Sequence, residues 1–183
     1  MDLVRPEPQH LDDYLAALRR GWSPNTERDV SAELVAEIEA DPVAFLAGAD
    51  DRDPAGRTVE LSDGSRVPRL PGFSRWMWDG GFCGSINLRW QDGTPELPPY
   101  CLGHIGYAVV PWKQRRGYAT EALRQLLPLA REVGLPYVEI TTNPDNVGSQ
   151  RVIEANGGVL VERFDQPATS GGGDGLRYRV ALT

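Results

Sequence analysis

The residues best suited to chemistry are gathered in Gln114-Arg115-Arg116-Gly117-Tyr118-Ala119-Thr120, directly after Pro111-Trp112-Lys113. Two arginines and a lysine set up a local positive field, Gly117 can take a positive φ without penalty, and Ala119 lets a ligand approach the backbone closely. Apolar residues then recur at helical spacing. The run therefore opens a helix and presents unpaired N–H groups at the positive end of its dipole, which suits two linked phosphates. A small residue at a helix start also serves close packing, and Gln-x-x-Gly-x-Ala by itself is compatible with either reading. Neither Gly-x-x-x-x-Gly-Lys-Ser/Thr nor Gly-x-Gly-x-x-Gly occurs, which weakens a nucleotide-binding reading. Cys83 and Cys101 are too few for a disulfide framework and lack the clustering of a metal site, so no metal is expected.

The elements that must position this loop follow from periodicity. A short strand over 2–5 precedes a helix carrying Leu11, Tyr14, Leu15 and Leu18, and a second helix holds Leu34, Val35 and Ile38 between an N-cap at Ser31 and Asp41-Pro42. Residues 48–72 are irregular, rich in Asp, Gly, Pro and Arg, with a small hairpin around Ser62-Asp63-Gly64-Ser65; a loop of this kind can cover a substrate. Strands over 73–79 and 82–90 join across Gly80-Gly81, and a third spans 102–110. The helix after the loop repeats Ala119, Ala122, Leu123, Leu126, Leu127, Ala130 and Val133, with a bend expected near Arg124 because Pro128 removes an interior N–H. A strand over 137–142, a helix over 146–155, and strands over 159–164 and 176–182 complete the chain.

The length of 183 residues fits one domain, 1–183. A net charge of −7 argues against a nucleic-acid surface and leans toward cationic acceptors, although acidic proteins are commonly just soluble that way. No stretch approaches the ~20 apolar residues of a membrane span. The first residues lack the basic start and apolar core of a secretion signal, so no membrane partner and a cytoplasmic location are expected.

Gly103-His104-Ile105-Gly106-Tyr107-Ala108-Val109-Val110-Pro111 and the loop after it resemble the central acetyl-CoA motif of the GNAT superfamily of N-acetyltransferases. Thr141-Thr142-Asn143-Pro144-Asp145-Asn146-Val147-Gly148-Ser149 and Ile153-Glu154-Ala155-Asn156-Gly157-Gly158 are similar to that family's next motif, and residues 76–89 to the hairpin preceding the motif in one branch of predicted acetyltransferases. The resemblance is specific over 76–164 and loose before. It implies an α/β (α+β) fold: a mixed, twisted, mostly antiparallel sheet of six to seven strands with about four helices. Its parallel strands 102–110 and 137–142 would splay to admit acetyl-CoA. It implies acetyl transfer to a primary amine, on a small molecule or peptide, by direct sequential attack. Val109 and Val110 would offer backbone groups to the pantetheine arm. After Gln114, the amides of Arg115, Arg116, Gly117, Tyr118, Ala119 and Thr120 would hold the diphosphate, and Asn146 and Ser149 would bond the arm from the other side. For the last two, simple helix capping is the alternative. The family often dimerises through its sheet edge or C-terminal strands, so a homodimer is a further implied partner.

The chain departs from the family at two places. Gly106 stands where many members carry a glutamate base, and Ile153 where they carry a tyrosine acid. His104, with an ordinary pKa near ~6.5, is the nearest replacement base, and an ordered strand histidine is the competing reading. Tyr178 is a candidate acid; Tyr107 falls on the opposite side of its strand from His104 and reads as core. Trp76, Trp78, Trp90 and Trp112 wall an acceptor pocket or simply pack. Positioning alone can carry much of the rate if the amine is already partly neutral. The second functional reading is a catalytically degenerate acyl-CoA sensor.

Overall fold

The computed structural model describes residues 1–26, 28–61 and 63–182. β1 (Asp2–Val4) leads to α1 (Leu11–Arg19), α2 (Ser31–Ala40) and α3 (Pro42–Ala47). Next come β2 (Asp50–Asp51), β3 (Thr58–Glu60) and β4 (Arg66–Pro68), then the long strands β5 (Gly72–Trp78), β6 (Phe82–Arg89) and β7 (Ile105–Val109). A 3-10 turn (Pro111–Lys113) precedes α4 (Tyr118–Glu132), followed by β8 (Tyr137–Thr142), α5 (Val147–Ala155), β9 (Val159–Asp165) and β10 (Asp174–Ala181).

β1, β5, β6 and β7 pair in that order, with β2 also on β5; β8, β10 and β9 form a second antiparallel sheet. β6 and β7 run antiparallel from Gly84↔Val109 to Leu88↔Ile105. β7 and β8 share no ladder. They touch at one end, where the His104 amide donates to the Glu139 carbonyl (2.8 Å), and beyond that point the gap between the two sheets opens. Alternation along the first sheet builds two cores. Met77, Ile86, Leu88 and Ile105 pack with Leu123 and Leu126 of α4, whereas Trp76, Phe82 and Val110 pack with Tyr14 and Leu18 of α1.

The resemblance foresaw a single sheet of six to seven strands and about four helices. The α/β class is as expected, but the described residues divide into a five-stranded sheet, a three-stranded sheet and the β3–β4 hairpin, with five α-helices. The splay itself separates the two larger sheets. β2 arises in the segment read as irregular, because a strand of two residues shows no periodicity, whereas β3 and β4 pair on either side of the turn where a small hairpin was expected. Of the anticipated turn there, Ser62 lies outside the described residues; Asp63 Oδ1 accepts from the Ser65 amide (2.9 Å).

α3 was not foreseen. The proline that ends α2 also starts α3, since a first helical position needs no N–H, and Asp41 Oδ1 caps the amides of Val43 (3.1 Å) and Ala44 (2.9 Å). Ser31 is the first residue of α2 rather than its cap. α4 stays one helix through Pro128, held by the fully buried Ala122, Leu123, Leu126 and Ala130. No helix among the described residues is long and apolar enough to cross a membrane.

Candidate active site

The opening between β7 and β8 is a cleft of about 960 Å³. Its floor is Gly106, Tyr107 and Val109 on one side and Ile140 and Thr142 on the other; its mouth is the turn from Gln114 to Thr120. Gly117 sits at φ 80° and Arg115 at φ 61°, so two left-handed residues within three positions coil the backbone before α4 starts. The curl turns successive N–H groups the same way. Among the described residues, the amides of Arg115, Arg116, Gly117, Tyr118, Ala119 and Thr120 make no hydrogen bond, and the first that does is Glu121, to the Gly117 carbonyl (3.0 Å). An ideal Cβ at Gly117 would meet nothing within 4 Å. This glycine is therefore required for its φ and for ligand approach, not for packing.

Gln114 Nε2 donates to the Val109 carbonyl (3.3 Å), tying the turn back to β7. Val109 lines the cleft. Val110 does not: its side chain is buried in the α1 core, its amide donates to Cys83 (2.9 Å), and its carbonyl accepts from Lys113 (2.9 Å). The expectation that Val110 offers free backbone groups is corrected by the alternation of a strand, which points neighbouring residues' N–H groups to opposite edges. On the far wall, Asn146 Oδ1 accepts the Ser149 amide (3.0 Å), so Asn146 caps α5 while lining the cleft beside Ser149. Capping and facing a ligand are not exclusive here.

The expected base and acid lie elsewhere. His104 is 1% exposed; its Nδ1 accepts the Glu139 amide (2.9 Å), and its Nε2 faces the Pro95 carbonyl (3.1 Å). Those partners require a neutral ring with its proton on Nε2. Burial pushes its pKa down, with backbone bonds and Glu139 opposing. With its one free lone pair spent on Glu139, His104 clasps the closed end of the β7–β8 seam and has no atom to offer a substrate. Tyr178 is 3% exposed in the α4 core, with its hydroxyl donating outward to Glu154 (3.3 Å).

Tyr107, read as core, has its hydroxyl in the cleft, 2.8 Å from Ser149 Oγ. Burial pushes its pKa up to about 12, with the Ser149 bond pulling slightly the other way. Strand parity already put Tyr107 opposite His104. What parity could not supply was that β7 has no strand paired along its outer edge, so the ring packs against the α4 core while its hydroxyl reaches the cleft. Of the tryptophans, Trp76 stacks on Tyr14 (4.3 Å), Trp90 donates to Asp92 (3.0 Å), and Trp112 lies under Arg20 (3.7 Å). The one that reaches the cleft is Trp22.

A sequence family described as an acetyltransferase (GNAT) domain matches residues 3–159. Among curated proteins no sequence matches the chain. Several solved structures share the fold. A microcin C7 self-immunity acetyltransferase, solved with acetyl-CoA and AMP, is 12% identical with TM-score 0.62 over 98% of this chain and 91% of its own. A ribosomal-protein alpha-N-acetyltransferase, solved with coenzyme A, is 13% identical with TM-score 0.62 over 98% and 93%. A spermidine N-acetyltransferase chimera from Vibrio cholerae is 11% identical with TM-score 0.59 over 100% and 97%. A family match across most of the sequence, on a fold whose splayed strands end in a turn of unpaired amides, has one meaning: the chain belongs to the GNAT acetyltransferase family.

Proposed function

We propose that this protein is an acetyl-CoA-dependent N-acetyltransferase acting on a primary amine. The observation that carries the proposal is the free amide turn from Arg115 to Thr120, in a chain whose family uses acetyl-CoA. The residues present fit the group: six backbone donors are left unpaired where Arg115 and Arg116 add positive charge, and no Cβ at position 117 obstructs approach. Val109 offers a backbone edge to the pantetheine arm, with Asn146 and Ser149 opposite.

Acetyl-CoA supplies an activated thioester. The amine nitrogen bonds to the carbonyl carbon, the C–S bond breaks, and the proton lost by nitrogen ends on sulfur or in solvent. We assign Tyr107 to the thiolate side of this exchange. A phenol with a pKa near 12 is a poorer proton donor than a thiol, with its ordinary pKa of ~8.5, so Tyr107 stabilises developing charge on sulfur by a hydrogen bond and keeps its own proton. No side chain is assigned as base: amines already neutral react, and positioning provides the rest.

The test is Gly117→Glu. Calorimetry should find coenzyme A binding lost by at least ~100-fold, while circular dichroism shows the fold retained. Unchanged affinity would overturn the site. Coenzyme binding without thiol release against a broad amine panel would instead favour the sensor reading.

A further inference from the structure

Another cavity among the described residues lies on the α1 side of the first sheet. It measures about 330 Å³, within the range of small-molecule sites, and is walled by the β3–β4 hairpin (Val59, Leu61, Pro68), by Arg69, and by Ser74, Asn87 and Arg89 of the sheet. Tyr100 closes it with a hydroxyl donated to the Pro68 carbonyl (3.0 Å). It borders the cleft across the β6–β7 ladder. Asn87 pairs with Gly106 in the β6–β7 register, and Gly106 lines the cleft. A Cβ at Gly106 would stand 3.1 Å from Arg89 Nη2 and 3.5 Å from the Asn87 amide. Where relatives place a carboxylate, this chain therefore has a bare backbone with a guanidinium beside it.

The charges around this cavity are otherwise matched. Arg69 pairs with Asp51 (3.1 Å), Arg57 also pairs with Asp51, and Arg75 pairs with Asp50 (3.2 Å). The backbone amide of Arg89 donates to the His104 carbonyl (2.9 Å), but its guanidinium has no hydrogen-bond or ion-pair partner among the described residues, and its Nε is buried without one. A buried, unsatisfied guanidinium nitrogen is costly, and a structure tolerates it where a ligand completes it.

We propose, resting on the acetyltransferase reading, that this cavity takes the acceptor and that Arg89 selects one carrying a carboxylate beside its amine: a small amino acid. The guanidinium fork matches a carboxylate in two parallel bonds, and Asn87 adds an amide that can donate or accept. Pairing the acceptor's anion at Arg89 sets its amine free to point past Gly106 toward the cleft, through space a side chain there would fill. The same cation repels polyamines, against the lean suggested by the overall acidity of the chain.

The protein saturated with coenzyme A is titrated by calorimetry with the common amino acids, each matched by the amine lacking its carboxylate. Acid-starting dipeptides provide a second source of the same group. At least one carboxylated amine should bind, its decarboxylated match should bind at least ~10-fold more weakly, and Arg89→Met should remove that difference with coenzyme affinity unchanged. Should Arg89→Met lose its melting transition, Arg89→Lys keeps the charge without the fork and should weaken binding by an intermediate factor. Equal binding of both members of every pair, no binding by any carboxylated member, or selectivity undiminished in the Arg89 variants would overturn the proposal. Thiol release separates the two readings. Carboxylate-selective binding without release refutes acetyl transfer and leaves the pocket standing, whereas release from carboxylate-free amines, unaffected at Arg89, refutes the pocket and leaves transfer standing.

Discussion

Tyr107 and His104 sit three residues apart on one strand, and their surroundings give them opposite duties. Tyr107→Phe deletes one oxygen from the cleft; it should lower kcat roughly 10–100-fold with acetyl-CoA affinity nearly unchanged, measured by steady-state kinetics beside calorimetry. Because its folded pKa is raised to about 12, Tyr107 stays protonated throughout the neutral range. The stability it supports is complete below the unfolded value near ~10 and is lost as pH rises from there toward 12. His104 runs the other way. Its folded pKa is lowered by burial, so its contribution is present above the unfolded value near ~6.5 and is lost as pH falls below that. His104→Ala strands the Glu139 amide and the Pro95 carbonyl and should cost about 1–3 kcal/mol in denaturant unfolding, with the neutral-pH rate profile unchanged in shape. A profile that loses an inflection near neutrality would restore His104 as a base.

Between elements, the decisive contacts are backbone against backbone. At Gly84, φ is 152° and a Cβ would fall 2.3 Å from the Ala108 carbonyl oxygen, so any side chain pushes β6 off β7 and widens the cleft from behind. Gly84→Ala should destabilise by about 3 kcal/mol, seen as a lower denaturation midpoint, and should weaken coenzyme binding with it. α5 offers a finer test at its cap. Asn146→Asp retains an acceptor for the Ser149 amide and therefore the helix start, but adds a charge to the cleft wall. Stability should hold while coenzyme affinity falls; unchanged affinity would reduce Asn146 to a cap alone.

For the molecule as a whole, a net charge of −7 surrounds a turn carrying Lys113, Arg115 and Arg116. Attraction for a polyanionic coenzyme is therefore local and exposed to screening. Raising salt from about 0.05 to 0.5 M should weaken coenzyme A binding several-fold, and Arg116→Ser should flatten that dependence. Assembly belongs to this scale too. β9 has β10 on one side, and Val159, Leu160 and Val161 along it are exposed by 65%, 39% and 48%. An edge with that composition is suited to pairing with a second copy; light scattering that finds a dimer, and Val161→Lys returning it to monomer, would establish pairing there, and a monomeric parent would exclude it.

Some of this was present in the order of residues. The helical period from Ala119 to Val133, the positive-φ glycine before it and the arginines around it are local facts, and local interactions form a helix start wherever it is placed. The long strands were legible for the same reason, as was α5 with its capping asparagine. Even the polar face behind the cleft had a sign in sequence, since Ser85, Asn87 and Arg89 alternate with Ile86 and Leu88, which reads as a strand with one apolar and one polar face. Tertiary structure alone decided which of these groups meet. His104 and Glu139, Tyr107 and Ser149, and Arg89 and Gly106 are all far apart or unremarkable in sequence, and their roles come from whether a neighbouring backbone or side chain uses up their hydrogen-bonding atoms. A residue type states what an atom can do; only the fold determines whether that atom is left free to do it.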